Sequence, residues 1–320
     1  MMFEDAVKNG ILGLVVGDAL GVPVEFRSRE ELKRDPVNGM RAYGTHHQPA
    51  GTWSDDSSMA LCLMESLTRG VDYADMMTRF RRWADEGYMT PYGKVFDMGI
   101  ATQQALARFA HGTPPLECGG IGERDNGNGS LMRILPMALY LHRTMGPDFP
   151  RMAEAYQIIH NASALTHAHP ISLMSCGLYC AAANELLCGK TSVWGGIKTA
   201  KEFYHDQPKF ASHLDTFQRI EPDFLPALPK SEISSGGYVL HTLEAALWSL
   251  ERHDSFRTCL LEAVNLGEDT DTTGAVAGGL AGLKYGDDIP EDWLSVIARR
   301  EEIEGLCGTF SQSFEEGRTC

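Results

Sequence analysis

Basic residues, long apolar runs and strand-like alternation are all scarce in this sequence. Its 320 residues include 28 lysines and arginines against 43 aspartates and glutamates, for a formal net charge of −15. Non-specific nucleic-acid binding needs clustered cations, and anionic membranes attract basic surfaces. No stretch approaches the roughly 18 apolar residues that cross a bilayer. The composition therefore argues against a membrane partner and makes a nucleic-acid partner a poor candidate.

The eight cysteines lack the paired CxxC spacing that is typical of zinc sites. Cys176 and Cys180 lie one helical turn apart in an apolar segment, which suits core packing. A chain of this length needs no disulfides, so we expect reduced thiols. The apolar stretch Ile11 to Val16 ends at Asp18 and follows no basic segment, so it does not resemble a signal peptide. These features predict a cytoplasmic protein.

Apolar residues recur at three- and four-residue spacing, which is the period of an amphipathic helix. This pattern is clear in Met59, Leu63, Met64 and Leu67 and again in Leu243, Ala246, Leu247 and Leu250. Glycine- and proline-rich segments separate the periodic stretches. Neither a linker nor a repeat of solenoid length is visible. We predict an all-α fold, a single compact multi-helix domain over residues 1–320, with ordered loops.

A first acidic cluster, Ser54, Asp55 and Asp56, stands just before a helical pattern. Serine is a typical N-cap, and carboxylates in the first turn interact favourably with the helix dipole. Capping explains one acid well and two adjacent acids less well. Side chains at consecutive helix positions point about 100° apart, so two carboxylates here are also placed to flank a metal ion. Both interpretations stay open from this segment alone.

A second acidic cluster, Asp269, Asp271 and Thr272, begins a helix that is rich in glycine. Gly274, Gly278 and Gly282 recur every four residues, and each glycine inside a helix costs about 1 kcal/mol. We therefore expect a smooth helix face that another backbone approaches closely. Such packing would bring the start of this helix beside another helix start.

Asp18 and Glu25 interrupt an otherwise apolar segment near the beginning of the chain. Buried carboxylates are costly unless they are paired or bind a metal, although capping and exposure at a turn also explain these two. The three acidic segments together supply only oxygen donors, which suit Mg²⁺, Mn²⁺ or Ca²⁺ rather than zinc or copper. One ion does not need so many acids, which points to two ions that share a bridging carboxylate.

Two further segments carry polar residues that allow both a functional and a structural interpretation. The glycine-rich loop Gly119 to Gly129 can bring backbone N–H groups to a diphosphate, or can simply make a tight turn before a helix. His167 and His169 have the spacing of a metal pair, but oxygen ligands are available elsewhere. His46 and His47 lie in a loop without a motif, and we expect both to be solvated.

Six motifs, in order along the chain, resemble the ADP-ribosylglycohydrolases. They are Gly17-Asp18-Ala19-Leu20-Gly21 with Glu25, Gly51-Thr52-Trp53-Ser54-Asp55-Asp56, Asn128-Gly129-Ser130-Leu131-Met132-Arg133, Thr166-His167-Ala168-His169-Pro170, Gly237-Tyr238-Val239 and Asp269-Thr270-Asp271-Thr272-Thr273-Gly274. The resemblance spans Gly10 to Gly286. It implies an all-α enzyme with a binuclear centre of two divalent cations, Mg²⁺ or Mn²⁺.

The resemblance also implies roles for the acidic residues. One ion would be bound by Ser54, Asp55 and Asp56, and the other by Glu25, Asp269, Asp271 and Thr272, with Asp271 bridging. The family usually has threonine where this chain has Ser54; because the hydroxyl is retained, we expect metal binding to be retained as well.

For the substrate, the resemblance implies contacts at Gly127, Asn128, Gly129, Ser130, His167 and Tyr238. His167 would face the ribose or phosphate and Tyr238 would border the adenosine, although an aromatic there also suits the core. Arg133 is open to pairing with a phosphate or with a structural acid, and the structural role is favoured. His169 is interpreted as structural. Asp97 resembles a signature of the bacterial arginine-specific members and would pair with a guanidinium or assist proton transfer. The alternative is an N-cap for the helix Ile100 to Phe109.

The expected reaction is metal-dependent hydrolysis of the glycosidic bond between ADP-ribose and a modified side chain, with arginine favoured. Asp55, Asp56 and Asp97 are the candidate catalytic acids that take a proton from the attacking water. The expected partner is an ADP-ribosylated protein or small molecule. The alternatives are serine-linked or non-protein substrates, a non-catalytic binder on the same fold, and a phosphohydrolase that releases AMP.

Overall fold

The computed structural model describes residues 2–314, with residue 287 described by its backbone alone. The α-helices in this range are α1 (Phe3–Gly21), α2 (Arg29–Arg34), α3 (Asp55–Leu67), α4 (Tyr73–Glu86), α5 (Ile100–Ala110), α6 (Leu135–Met145), α7 (Ala153–Ala164), α8 (Pro170–Leu187), α9 (Trp194–His205), α10 (Pro208–Ala211), α11 (Val239–Arg252), α12 (Phe256–Val264), α13 (Thr270–Tyr285), α14 (Glu291–Leu294) and α15 (Arg300–Gln312). Short 3₁₀ helices lie in the connections: Val22–Val24, Pro115–Glu117, Glu123–Asp125, Phe149–Arg151, Leu214–Phe217, Leu225–Ala227, Lys230–Glu232 and Gly286–Asp288.

The described residues form no β-strand, and only two isolated backbone bridges, Gly120–His167 and Gly127–Tyr238, occur among them. The helices share one continuous apolar core that extends from Ala6 to Phe310. The prediction of an all-α fold with one compact domain is therefore confirmed.

The two central helices, α1 and α13, touch along their glycine faces. A side-chain carbon at Gly13 would lie 2.3 Å from the carbonyl oxygen of Gly278, and one at Gly17 would lie 2.0 Å from that of Gly274. These distances are too short for any side-chain carbon, so the two helices can approach this closely only where both have glycine. The predicted close approach is confirmed. It also brings the end of α1 against the start of α13, because a side-chain carbon at Gly21 would lie 2.3 Å from the backbone nitrogen of Asp271.

The helix α1 corrects one expectation. With the turn that follows it, Phe3–Val24 is long and apolar enough to cross a membrane by length and composition. The sequence prediction that no stretch approaches this length was therefore wrong, because Asp18 was taken as the end of the apolar stretch. In the structure 94% of the apolar window is buried inside the protein. Helix α1 is thus a core helix that α3, α12, α13 and α15 surround.

Candidate active site

The start of α3 is fixed by a buried carboxylate from α1. Both Asp18 oxygens accept from the backbone N–H of Ser54, at 2.9 and 3.0 Å, and one also accepts from the backbone and hydroxyl of Ser57. Ser54 is the N-cap of α3, as predicted, and its hydroxyl donates to Asp56 Oδ2 at 2.9 Å. The interpretation of Asp18 as an exposed turn residue is wrong, since it is fully buried and positions Asp55 and Asp56.

The start of α13 faces the start of α3. The Thr272 hydroxyl lies 3.5 Å from Asp56 Oδ2, and the Thr270 hydroxyl donates to the Gly21 carbonyl at the end of α1. Asp271 is almost fully buried, and its Oδ1 accepts from the backbone N–H of Thr272. Two acidic segments that are more than two hundred positions apart thereby form one cluster.

Glu25 is brought to this cluster by two residues with an unusual backbone. Phe26 and Glu268 have φ angles of +64° and +62°, a left-handed conformation that is strained for residues other than glycine. The Phe26 N–H donates to the Glu268 carbonyl, and the Glu268 N–H donates to the Arg27 carbonyl, each at 2.7 Å. These paired bonds hold the loop after α1 against the loop before α13.

Donor atoms of the acids and of His46 form two groups, and Asp271 belongs to both. One group contains Asp18, Asp56 and Asp271; the other contains Glu25, His46, Asp97 and Asp271. Within each group the donor atoms all lie within 4.8 Å of one another. Asp55 and Asp269 belong to neither group, but both line the adjoining cavity.

Burial and mutual repulsion disfavour the charged forms of these acids. Burial raises the pKa of Asp18 to about 7, although hydrogen bonds from Ser57 and Ser54 act against it. Burial, followed by repulsion from neighbouring carboxylates, raises the pKa of Asp55, Asp56 and Asp271 well above the usual range. Such crowding is costly unless a cation offsets it.

Two buried carboxylate oxygens, Asp56 Oδ1 and Asp271 Oδ2, accept no hydrogen bond from any residue in the described range. Buried polar atoms in folded proteins are almost always satisfied, so each such exception needs an explanation. An oxygen-rich set with two free buried lone-pair donors fits divalent cations. The described residues are therefore able to hold a metal.

The cluster opens into a cavity of about 450 Å³. Its lining comprises residues from the acid segments, the start of α5, the glycine-rich loop and the loop before α11, among them Glu25, Asp55, Asp97, Arg124, Gly127, Asn128, Gly129, His167, Gly237, Asp269 and Thr272. A cavity of this size accommodates a nucleotide-sized ligand.

The glycine-rich loop is tied to both neighbouring segments. The Asn128 N–H donates to the Gly237 carbonyl at 3.1 Å, and its side-chain amide donates to Asp269 Oδ2 at 2.8 Å. A side-chain carbon at Gly129 would lie 2.9 Å from the His167 ring, so only glycine fits there. Asn128 therefore connects the loop directly to the acid cluster.

His167 is buried behind this loop and lines the cavity. Burial lowers the pKa of His167 to about 3, with a smaller contribution from Arg133, so the imidazole is neutral at physiological pH. Its Nδ1 lies 2.8 Å from the Thr166 hydroxyl, which leaves Nε2 toward Gly127 and Gly129.

Other predicted substrate residues have interior contacts. The Ser130 hydroxyl is fully buried and accepts from Ser163 at 2.8 Å. Tyr238 is half-buried, caps α11 by its backbone and packs edge-on against His241. Arg133 donates to the carbonyls of Gly129 and Ala162 and lies over the Phe80 ring, which is the structural role expected of it.

The structure corrects two further interpretations. Asp97 does not cap α5, because Gly99 is the N-cap and Asp97 accepts from its own neighbour Met98. His46 is not solvated: its side chain is only 12% exposed and Nε2 contacts Glu25, whereas His47 is exposed as expected. Burial raises the pKa of Glu25, and the hydrogen bond with Glu25 raises the pKa of His46.

Sequence reasoning missed His46, Asp18 and Arg124 as members of this site. Arg124 lies in a short 3₁₀ turn of the glycine-rich loop and is exposed at the cavity. Neither His46 nor Arg124 stands in a motif or a periodic segment. Asp18 was recognised as unusual, but only the fold shows which groups it contacts.

Comparison with known proteins agrees with this geometry. The model of the family described as ADP-ribosylglycohydrolase matches residues 2–319. The chain belongs to the ADP-ribosylglycohydrolase family. It is accordingly a glycohydrolase, and the resemblance drawn from the six motifs is confirmed.

Relatives within the ADP-ribosylglycohydrolase family match over nearly the whole chain. ADP-ribosylarginine hydrolase Tri1 of Pseudomonas putida (strain GB-1) is 31% identical over 311 residues, covering 94% of this chain and 76% of that protein. The ADP-ribosyl-[dinitrogen reductase] glycohydrolase of Rhodospirillum rubrum is 32% identical over 318 residues, covering 94% and 93%. A solved structure titled ADP-ribosylglycohydrolase-related protein complex has a TM-score of 0.78 at 32% identity, covering 98% of this chain and 99% of that one.

Proposed function

We propose that this protein hydrolyses the glycosidic bond between ADP-ribose and an arginine side chain, using two divalent cations, Mg²⁺ or Mn²⁺. One observation carries the proposal: the acid cluster with its free buried oxygens opens into the same cavity as the glycine-rich loop and Asp97. Two relatives are named for their action on ADP-ribosylarginine and on ADP-ribosylated dinitrogen reductase. The partner would be an ADP-ribosylated protein or small molecule.

For the ions we propose the ligands Ser54, Asp55 and Asp56 on one side and Glu25, Asp269, Asp271 and Thr272 on the other, with Asp271 shared. The free Oδ1 of Asp56 and Oδ2 of Asp271 support this set. Bound cations would supply Lewis-acid polarisation and would orient the reacting groups.

We propose that ADP-ribose lies along the glycine-rich loop. Gly127, Asn128, Gly129 and Ser130 would contact the diphosphate and ribose mainly through their backbone, because the Ser130 side chain is engaged in the interior. His167 would donate from Nε2 as a neutral imidazole. Tyr238 would border the adenosine, since its backbone pairs with Gly127 at the edge of the cavity.

The reaction would replace a carbon–nitrogen bond with a carbon–oxygen bond. As the bond at the anomeric carbon stretches, positive charge develops on the sugar, and nearby carboxylates stabilise it. A water attacks this carbon, and Asp55, Asp56 or Asp97 accepts its proton. The guanidine leaves with the bonding electron pair and takes up a proton. Asp97 would pair with that guanidinium, because it is half-buried at the cavity wall beside Glu25.

A release assay tests this function. The purified protein is incubated with ADP-ribosyl-arginine and ADP-ribosyl-serine peptides in the presence of Mg²⁺, Mn²⁺ or a chelator. We expect free ADP-ribose from the arginine peptide with either metal and none with the chelator. Release only from serine would contradict the arginine linkage, release of AMP would contradict glycosidic cleavage, and unchanged release in chelator would contradict the metal requirement.

Arg124 is expected to strengthen binding of the diphosphate. It is the one arginine or lysine that lines the cavity within the described range, where the other charged lining residues are acids. A charge-assisted hydrogen bond contributes about 1.5–3 kcal/mol, so Arg124→Ala should weaken ADP-ribose binding roughly 10- to 100-fold. Calorimetry measures this with ADP-ribose and, as a ligand without phosphate, adenosine. Equal losses for both ligands, or a similar loss in the control Arg151→Ala, would contradict the assignment.

Stabilisation by a divalent cation is expected to grow with pH. In the metal-free protein, the pKa of the Asp18 carboxyl is raised to about 7 in the folded state. Its contribution to stability is fully present below the pKa of the unfolded state, and it is lost as the pH rises through the pKa of the folded state. Cation binding requires the deprotonated acids, so the gain in Tm on adding Mg²⁺ or Mn²⁺ should increase between about pH 5 and about pH 8. Thermal denaturation against KCl of equal ionic strength measures it, and a pH-independent gain would be the contrary result.

The proposed cytoplasmic location fits the described cysteines. All seven in the described range are free thiols, and all but Cys188 are buried. Free thiols are the usual state of cysteines in reducing compartments.

A further inference from the structure

His46 supplies a nitrogen donor to a group that otherwise consists of carboxylates. One ring nitrogen of His46 and one oxygen each of Glu25, Asp97 and Asp271 all lie within 4.8 Å of one another. The nitrogen that contacts Glu25 is Nε2. An octahedral ion with ligands at about 2.1 Å places opposite ligands roughly 4.2 Å apart. Four donor atoms that are this close together are able to face a single ion.

The Oδ2 atom of Asp271 provides a second, independent observation. Asp271 is 1% exposed, and this oxygen accepts no hydrogen bond from any residue of the described range. A buried carboxylate oxygen without a donor is a strong acceptor that faces no protein partner. The atom belongs to the side chain that both donor groups share, so a cation bound to the Asp271 carboxylate would lie close to the donor atoms of Glu25 and His46.

Packing holds the His46 ring in place. Its centroid lies 5.2 Å from that of Phe96 and 6.0 Å from that of Phe26. The neighbouring Thr45 donates its hydroxyl to the Glu25 carbonyl at 2.7 Å, which fixes the loop of His46 to the segment of Glu25. A donor that is oriented by its surroundings does not have to be ordered when an ion binds.

We propose that Nε2 of His46 is a direct ligand of the ion held between Glu25 and Asp271, and that this nitrogen shifts the preference of the centre from Mg²⁺ toward Mn²⁺. Imidazole nitrogen suits transition metals, whereas Mg²⁺ favours oxygen ligands. The inference rests on the metal dependence of the proposed function. Asp97, which faces the same point from the cavity wall, stays available to the substrate.

The competing role for His46 is a hydrogen bond to Glu25 without contact to the ion, as residues around a metal site often make. Pulsed electron paramagnetic resonance distinguishes the two, because a nitrogen bound to Mn²⁺ modulates the electron spin echo. We expect ¹⁴N modulation in the Mn²⁺-loaded wild type and its loss in His46→Gln, which keeps a polar group toward Glu25. Wild-type protein that binds Mn²⁺ without nitrogen modulation would overturn the inference.

The matched control is the adjacent, exposed His47. Its φ is +54°, a conformation that asparagine adopts more readily than most residues, so His47→Asn should fold normally. This variant should keep the ¹⁴N modulation. If it loses the signal as His46→Gln does, the nitrogen is not assigned to His46 and the proposal fails. Should His46→Gln fail to fold, as judged by circular dichroism, His46→Asn takes its place.

Calorimetric titration with each metal alone provides the second readout. In His46→Gln we expect Mn²⁺ affinity to fall on the order of 10- to 100-fold, with a clearly smaller loss for Mg²⁺, so that the ratio of the two affinities changes. Equal losses of affinity for Mn²⁺ and Mg²⁺ would contradict the proposal that the His46 nitrogen binds the ion directly. If the wild type binds neither ion, the metal dependence of the proposed function fails as well; if it binds both but the ratio is unaffected by His46, only this inference fails.

Discussion

Asp271→Asn is expected to lower kcat by roughly 10²- to 10⁴-fold without unfolding the protein. Metal centres contribute several kcal/mol of transition-state stabilisation, and about 1.4 kcal/mol corresponds to a tenfold change in rate. Asp271 is shared by both donor groups and has the free Oδ2, so the loss of its charge should affect both proposed ion sites. The rate is measured as release of ADP-ribose from an ADP-ribosyl-arginine peptide.

The same substitution should leave the metal-free protein as stable as the wild type, or more stable. Asparagine keeps an oxygen for the hydrogen bond from the Thr272 N–H, and it removes a charge that burial and the neighbouring carboxylates disfavour. Thermal denaturation in a chelator measures this. The exposed Asp206 provides the control, because Asp206→Asn should change neither rate nor Tm. A wild-type rate in Asp271→Asn would refute the shared-ligand assignment.

Gly278→Ala should destabilise the protein by about 3 kcal/mol or more, the upper range for overpacked cores. The new methyl carbon would lie 2.2 Å from the Gly13 carbonyl oxygen and 2.9 Å from its carbonyl carbon. Both are backbone atoms, so α1 and α13 must separate to admit it. Since α13 carries Asp271 and Thr272, we also expect weaker metal binding. Urea denaturation of the metal-free protein gives the change in the free energy of unfolding.

Gly305→Ala is the matched control for this prediction. Gly305 lies inside α15, and nothing lies within 4 Å of the position that its side-chain carbon would occupy. Here alanine should stabilise the helix by up to about 1 kcal/mol, through helix propensity alone. If alanine lowers the free energy of unfolding at Gly278 and raises it at Gly305, close helix contact rather than glycine flexibility explains the effect at Gly278. Destabilisation at both would refute that explanation.

The features that sequence analysis predicted correctly depend on local chemistry. Ser54 precedes a helix with two acids in its first turn, and it caps that helix in the structure. The four-residue glycine repeat of α13 predicted a close helix partner, because glycine is unfavourable in a helix without a packing reason. The physical cause of each pattern lies within a few residues of the chain, so a single sequence is enough to recognise it.

The features that were missed depend on contacts between distant segments. The bond from Asn128 to Asp269 joins residues 141 positions apart, and the contact of His46 with Glu25 crosses an irregular loop. Neither has a period or a spacing that a single sequence displays. Asp97 was open to interpretation as a helix cap, because the residue that caps α5, Gly99, lies only two positions further on.

The pairing of α1 with α13 has a consequence for the order of protein synthesis. The Gly21 carbonyl and the Thr270 hydroxyl that bond at this contact are 249 positions apart. At about 5–20 residues per second, the ribosome needs roughly 12–50 s to reach the second after the first. During that time α1, which is long and apolar enough to cross a membrane, has already emerged but lacks its partner. Newly made chains therefore expose a membrane-like segment that chaperones are suited to shield, and the acid cluster is completed only after the start of α13 has emerged.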